Sequence, residues 1–512
     1  MSSLKNVVVV GLGLSAVPAV QQLAKDLPST HRLVIVTAND GYWPIAALRA
    51  VVVPGWETKP VAAVDKILPA GSRHVLITGT SVVELKEHSV VLDKAHPQLG
   101  GEIAFDYAIL ATGSSYPFPC RPIPGATTEE TVTALKGLQA DIASSSSVLV
   151  IGGGPVGIEL AGEVAAYYTG EKKKQVTLVH SHSEFFYEPG WKPKFNASLG
   201  NQLHKMGVKV IRGQKIEGDL KTGKLDGMHT FTLASGDTVK ADFVFVAHGN
   251  SPNTWLLSQF DPSTVNGRKQ AIVNDKFQLA KYDHIFAIGD ITDLPESKLF
   301  ALAQNHGPVA AKNILAKINS SSSLKSYSPN VSKMIGVSIG PSGGAGQFFG
   351  MVFPPWLFAY IKSKGLFVDM FKKLRAERLA GRKSGQREAR PPPASSAVSP
   401  SIKRQLEELG VEVVMGRRVV SEMGAAGKLE GEKDLELDNG EKVKAAFLFI
   451  ATGSRLNTSF VAAFDFSTVN QKGEVRVKPT LQLDSSDGRH GHLFAIGDIT
   501  DLKEGKLFAH GR

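Results

Sequence analysis

Twice in this chain a run of β-branched residues breaks into a glycine-rich turn and resumes as an apolar helical pattern, and few folds accommodate that order even once. Residues 7–10 are four valines, a composition suited to a strand buried on both faces of a parallel sheet. Gly11, Leu12, Gly13, Leu14, Ser15 and Ala16 follow; residues 17–23 then read as a helix and 33–36 as a second strand. The same events recur as a strand at 148–151, the turn Gly152-Gly153-Gly154-Pro155-Val156-Gly157, a helix at 158–166 and a strand at 176–179. In such βαβ units the helix amino end offers unpaired N–H groups and a favourable dipole to a pyrophosphate. The first glycine permits the turn, and the second lets the backbone approach the phosphates. The expected fold class is therefore α/β, with two Rossmann-like dinucleotide-binding domains. Two units predict two dinucleotides.

The units differ where the second strand ends. An acidic residue there ordinarily takes the ribose hydroxyls. The first unit has Thr37, with Asn39 and Asp40 beyond it, and the second has His180. With no carboxylate to repel a 2′-phosphate, NADPH is expected to be accepted alongside NADH. The alternative for His180 is a solvent-exposed strand end.

A further pattern is an internal copy. Residues 286–294, FAIGDITDL, return letter for letter at 494–502, and 261–266 and 203–208 have counterparts at 465–470 and 406–411. Residues 401–512 read as an incomplete duplicate of 198–305, with Asp498 in the copied turn but neither glycine fingerprint. Residues 381–400, rich in Arg, Pro and Ser, read as a linker.

The formal charge of +10 is not spread evenly: between Tyr360 and Arg404 stand twelve Lys/Arg against three Asp/Glu. The remainder is near neutral, which argues against a generally basic, nucleic-acid-binding surface. Within 354–378, aromatic and aliphatic residues recur at helical spacing among lysines and arginines, the pattern of a helix lying in a membrane interface. The alternative is that the apolar face packs on the protein and the charges are simply solvated. No window of ~18 uninterrupted apolar residues predicts a spanning helix. The opening residues predict no cleaved targeting peptide, and Ser2 predicts no amino-terminal myristoylation. The single cysteine, Cys120, excludes an internal disulfide, a CxxC redox pair and a multi-thiolate metal site, and points to a reducing compartment. In its Pro-rich surround it reads as a passive loop residue.

Two more motifs complete the order. Residues 105–115, FDYAILATGSS, place Gly113 in a strand-then-ATG turn, and residues 285–290, IFAIGD, place Asp290 where it can accept a hydrogen bond from a flavin ribitol hydroxyl. The succession GxGxxA, ATGS, GGGPxGxE, IFAIGD resembles the two-dinucleotide-binding flavoproteins. Ala46-Ala47-Leu48-Arg49-Ala50, Pro117-Phe118-Pro119 and residues 176–181, VTLVHS, narrow the resemblance to the apoptosis-inducing-factor-like, ferroptosis-suppressor-type group. It covers residues 5 to about 375 in full and 401–512 in part.

The resemblance implies a glutathione-reductase-like arrangement. Residues 1–118 and 249–330 would form the two parts of an FAD-binding domain, 119–248 an NAD(P)H-binding domain, and 331–380 a C-terminal basic amphipathic segment. FAD would be held by Gly11, Leu12, Gly13, Leu14, Ser15, Arg49, the backbone at Thr80, Gly113 and Asp290, and NAD(P)H by Gly152, Gly154, Gly157 and His180. Arg49 also makes sense as a cation near the pyrophosphate or the reduced flavin, with a surface salt bridge as its alternative. Glu159 would stand near the nicotinamide–flavin stack, with an ordinary helix-face carboxylate as its alternative. A copy without a phosphate loop predicts one FAD per chain. The implied activity is hydride transfer from NAD(P)H to flavin and onward transfer to a quinone-type or other small electron acceptor, although no motif reads as a quinone site. The expected location is cytoplasmic, with the mitochondrial outer membrane or lipid droplets as peripheral surfaces, and the oligomeric state is open. Three other readings remain: an NADH-binding signalling or DNA-binding flavoprotein, a reductase of a soluble acceptor, and a non-catalytic fusion.

Overall fold

The computed structural model describes residues 4–376 apart from 70, 217, 219 and 349, together with 427–436 and 440–448. Two units divide the chain, Met1–Ser384 and Gly385–Arg512. Leaving shorter pieces aside, the first unit runs β1 (Lys5–Val10), α1 (Ala16–Asp26), β2 (His31–Thr37), α2 (Pro44–Ala50), β3 (Val75–Thr78), β4 (Tyr107–Leu110), α3 (Thr128–Ser144) and β5 (Ser147–Ile151). It continues with α4 (Pro155–Tyr167), β6 (Gln175–His180), α5 (Pro193–Lys205), β7 (Lys209–Arg212), β8 (Gly223–Thr232), β9 (Thr238–Val246), β10 (Gln278–Leu279) and β11 (Tyr282–Ala287). Helix α6 (His306–Ile318), β12 (Ile335–Ile339), β13 (Gly343–Phe348), β14 (Met351–Phe353) and α7 (Val368–Ala376) complete it.

The first sheet has the order β10-β11-β4-β1-β2-β3, parallel throughout except for the β10–β11 pair. The valine run explains its centre. Val7 and Val9 face the helix layer of α1 and α6, while Val8 and Val10 face the opposite layer with Val82, Leu85 and Leu92. Both faces are therefore buried, and each such valine contributes about 1.5–3 kcal/mol of burial. The second sheet repeats the plan as β7-β6-β5-β9-β8, with only β8 antiparallel. A third, antiparallel sheet, β12-β13-β14, packs against α4 and α5.

The helical pattern over 354–378 does not run as one continuous helix within its described part, 354–376. The chain forms a short helix Pro355–Phe358, a π-helical turn Ala359–Ser363, and only then α7. Between them Leu366 and Phe367 take left-handed backbone (φ 49° and 55°), with the Trp43 indole N–H donating to the Leu366 carbonyl at 2.6 Å. Phe358, Leu366, Val368 and Phe371 are buried, Phe371 stacked on Trp43 with ring centres 5.7 Å apart. Trp356, Tyr360 and Ile361 point outward, each more than half exposed. The segment thus divides its apolar residues between core and surface. Among the described residues no helix is long and apolar enough to cross a membrane.

In the second unit β15 (Gly427–Glu436) and β16 (Lys442–Leu448) form a hairpin. Gly427 pairs with Leu448 and Lys428 with Phe447, as Gly223 pairs with Val244 and Lys224 with Phe243, and the register slips at the matching place. The linker at 381–400 and Asp498 lie outside the described residues.

Candidate functional site

The first glycine turn is dictated by a neighbour. Gly11 has φ +90°, and a Cβ there would lie 2.5 Å from the Ala111 carbonyl oxygen, so the turn after β1 and the ATG turn after β4 can touch only through glycine. Gly13 is exposed, and a Cβ on it would meet nothing nearer than that same oxygen at 4.0 Å; beside Gly113 nothing lies within 4 Å. Leu12 is buried, Leu14 packs at the edge of the Trp43 cluster, and buried Ser15 precedes α1. Asp290 arrives from the turn after β11. Its Oδ2 accepts from the Ser114 hydroxyl at 2.9 Å and from Arg121 Nη2 at 3.0 Å. Residues 11–15, Gly113 and Asp290 thus border one open cradle at the carboxyl ends of β1 and β4, which fits a pyrophosphate-bearing flavin nucleotide. Thr80 lies across from Thr37, its N–H donating to the Thr37 carbonyl at 3.4 Å. Asn39 and Asp40 are engaged elsewhere: the Asn39 amide donates to Ile123 and Ala126 carbonyls, and Asp40 accepts from Thr128.

The second turn repeats the contact. A Cβ on Gly152 (φ +113°) would lie 2.5 Å from the Ala247 carbonyl oxygen, and one on Gly157 would lie 1.8 Å from the Gly152 carbonyl oxygen, whereas Gly154 faces open space. His180 is not an exposed strand end. It is buried, its Nδ1 accepts from the Gly153 N–H at 3.2 Å, and its Nε2 donates to the Glu184 carbonyl at 3.0 Å. Burial lowers its pKa from the ordinary value, which keeps the imidazole neutral.

Helix α4 carries two carboxylates four residues apart on its buried side. Glu159 Oε1 accepts from the Ser338 N–H (3.0 Å), the Ser338 hydroxyl (2.9 Å) and Lys362 Nζ (2.6 Å), and Lys362 also donates to the Gly336 carbonyl at 2.6 Å. Glu163 receives Arg49 as a fork, Nε to Oε2 at 2.8 Å and Nη2 to Oε1 at 2.7 Å. Arg49 Nη1 and Nη2 further donate to the carbonyls of Lys364 and Ser363. Arg49 is 3% exposed, so the surface-salt-bridge alternative fails on burial. The network joins α2, α4, β12 and the π-helical turn, and its two cations balance its two carboxylates. Burial raises the Glu163 pKa, and the Arg49 bonds oppose that rise. Cys120 is buried with its thiol pushed up to about 12, a protonated and unreactive sulfur.

Sequence reasoning missed Arg121, Lys362 and His306, whose ring Nδ1 accepts the Gly289 N–H at 3.0 Å. None stands in a spaced motif; the acidic pair on α4 was the one visible sign that buried cations must meet it.

Two βαβ nucleotide cradles in one unit, with an acid delivered to the first, define a two-dinucleotide flavoprotein oxidoreductase. The sequence profile of the pyridine nucleotide-disulphide oxidoreductase family matches residues 5–307 and 386–510, and the chain belongs to that family. It is 30% identical to apoptosis-inducing factor homolog A of Dictyostelium discoideum, over 72% of this chain and 91% of that protein. It is 29% identical to ferroptosis suppressor protein 1 of Xenopus tropicalis, over 71% and 94% respectively. Among solved structures, the water-forming NADH oxidase from Lactobacillus brevis bound to NADH superposes with a TM-score of 0.53 at 17% identity, covering 67% of this chain and 74% of that one, which supports the fold. The cofactors are accordingly FAD and NAD(P)H.

Proposed function

We propose that the chain oxidises NAD(P)H and reduces a quinone at an anionic membrane surface. Overall, NAD(P)H, one proton and a quinone become NAD(P)⁺ and a quinol. Bound flavin supplies the redox chemistry between the two substrates. The chain supplies position and protons. Residues 11–15, Thr80, Gly113 and Asp290 hold the flavin nucleotide, and Gly152, Gly154, Gly157 and His180 form the NAD(P)H loop. Lys362 Nζ donates to Glu159 inside the buried network, and it is the group from which a quinone oxygen gaining electrons would draw a proton.

One juxtaposition carries this reading: the π-helical turn that buries Lys362 exposes Tyr360 and Ile361 on its other side. An apolar acceptor meeting those side chains would lie across this one turn from Lys362. Trp356, Tyr360, Ile361 and Met351, exposed beside exposed Lys364 and Lys372, have the composition of a membrane-interface contact. Each lysine near anionic lipid adds about 1 kcal/mol.

The test compares a short-tailed ubiquinone analogue with ferricyanide, which takes electrons without protons. Lys362→Gln should lower quinone kcat/KM by roughly tenfold to a hundredfold and leave ferricyanide turnover within about twofold. Equal losses on both acceptors, or no quinone turnover in the parent protein, would overturn the reading. Trp356→Ser with Tyr360→Ser should abolish flotation with anionic vesicles.

A further inference from the structure

A second deeply buried titratable cluster among the described residues lies behind the Asp290 turn. His306 opens α6 with its side chain 2% exposed, and Glu296, also 2% exposed at its side chain, pairs with it. The ring bridges two groups, Nδ1 to the Gly289 N–H at 3.0 Å and Nε2 to Glu296 Oε1 at 2.7 Å. A backbone amide can only donate, so Nδ1 carries no proton and Nε2–H donates to the carboxylate. Glu296 Oε2 accepts in turn from the Tyr327 hydroxyl at 2.8 Å and the Asn330 N–H at 3.2 Å. Burial opposes ionisation of Glu296, but the bonds from His306 and Tyr327 outweigh it and lower its pKa. The ring itself is packed between Phe277 at 4.7 Å and Tyr327 at 5.0 Å.

Both groups beside this ring close on the flavin loop. A Cβ on Gly289 would lie 2.5 Å from Ser15 Oγ, and one on Gly307, the residue after His306, would lie 2.4 Å from the Ser15 carbonyl oxygen. Gly289, which leads directly into Asp290, therefore packs against Ser15 with no room for a side chain between them.

We propose that His306 is a positioning residue for the flavin: by accepting the Gly289 N–H it fixes the turn that presents Asp290 to the cofactor. Glu296 and Tyr327 hold the ring in the tautomer that leaves Nδ1 free to accept. The proposal rests on the reading that residues 11–15, Gly113 and Asp290 cradle FAD.

The experiment follows FAD release from the holoenzyme by the rise in flavin fluorescence on dilution. In His306→Asn the side-chain oxygen falls where Nδ1 stood, and the Gly289 N–H keeps its acceptor. In His306→Gln the carboxamide falls where Nε2 stood, and the Gly289 N–H loses it. An unsatisfied buried donor weakens FAD binding by roughly tenfold to a hundredfold. His306→Gln should show that loss, while His306→Asn stays within about threefold of the parent. Hydrogen exchange over residues 285–291 should accelerate in the glutamine variant alone. Tyr327→Phe, which removes one hydroxyl and little packing, is the milder arm and should speed release about two- to threefold. If asparagine and glutamine release flavin alike, or both retain it as the parent does, His306 does not act through its Nδ1 acceptor and the proposal falls. An Asp290→Ala control separates the layers: unchanged FAD affinity there would overturn the cradle reading itself.

Discussion

The two nucleotide loops share a plan down to the carbonyl each leans on. Gly11 presses on Ala111 at the end of β4, and Gly152 presses on Ala247 at the end of β9, each with a hypothetical Cβ 2.5 Å from that oxygen. They part at the third fingerprint position. In the second loop it is Gly157, which has no room for a methyl; in the first it is Ala16, fully buried with its methyl accommodated. The close approach in the first domain has moved to a neighbouring helix, where Gly307 of α6 meets Ser15 and Ala19 of α1. One loop is tightened from within its own turn and the other from outside by a packed helix. The fingerprint letter alone therefore does not say where a domain is intolerant.

Two substitutions should give the largest effects, and a third at the matching position should be mild. Gly157→Ala drives a methyl into the Gly152 carbonyl and should raise the KM for NAD(P)H by about a hundredfold or more, with flavin content retained. Gly307→Ala should do the corresponding damage in the first domain, lowering flavin content while the NAD(P)H loop stays intact. Ala16→Gly should cost at most about 1 kcal/mol of stability. Flavin-to-protein absorbance ratios, nucleotide KM values and melting temperatures read all three. A severe Ala16→Gly beside a silent Gly307→Ala would break the comparison.

A smaller effect separates the strand ends. Beyond Thr37, Asn39 and Asp40 are tied to residues 123–128, whereas His180 leans over its own loop and takes the Gly153 N–H. A carboxylate in His180→Glu could accept the same N–H while restoring repulsion against a 2′-phosphate. The ratio of NADPH to NADH KM should rise roughly tenfold, about 1.4 kcal/mol. Parallel shifts in both KM values would show that the side chain shapes the loop without reading the phosphate.

Both strand–turn–helix units and their parallel sheets were legible because period, glycine position and strand composition are local signals. The internal copy was legible for the same reason, and its hairpin has the register of the original. The burial of Arg49 and the inward half of the 354–376 segment were not. Arg49 meets Glu163, Ser363 and Lys364 across more than a hundred positions, and Lys362 meets Glu159 across a similar distance. Such pairings follow from how domains dock, and no spacing within either segment encodes them. The pattern could not divide this segment between core and surface, because a helix with aromatic residues on several sides looks alike whether one side finds Trp43 or none does.

The smallest effect lies at the other end of the two sheets, where each has an acid near the start of the strand beside its central one. Asp106 precedes β4 and pairs with exposed Lys5 at 3.2 Å. Asp242 in β9 accepts from the N–H groups and hydroxyls of both Ser146 and Ser147, at 2.8–2.9 Å. Burial opposes ionisation of Asp242, yet those four bonds outweigh it and hold its pKa at about 2, below the ordinary 3.8. A depressed carboxylate stabilises the fold above its unfolded pKa and loses that contribution as pH falls through the folded value. The stabilisation is therefore complete above about pH 5 and gone near pH 2; with solvent screening at this half-buried site it amounts to about 1 kcal/mol. Asp242→Asn should lower the melting temperature by a few degrees at neutral pH and converge on the parent as pH drops toward about 2. Asp106→Asn should change it by less at every pH, since an exposed pair contributes about 0–1 kcal/mol. If the Asp106 variant proves the more damaging, acid lability belongs to the flavin sheet, and the two domains differ at both ends in the opposite sense.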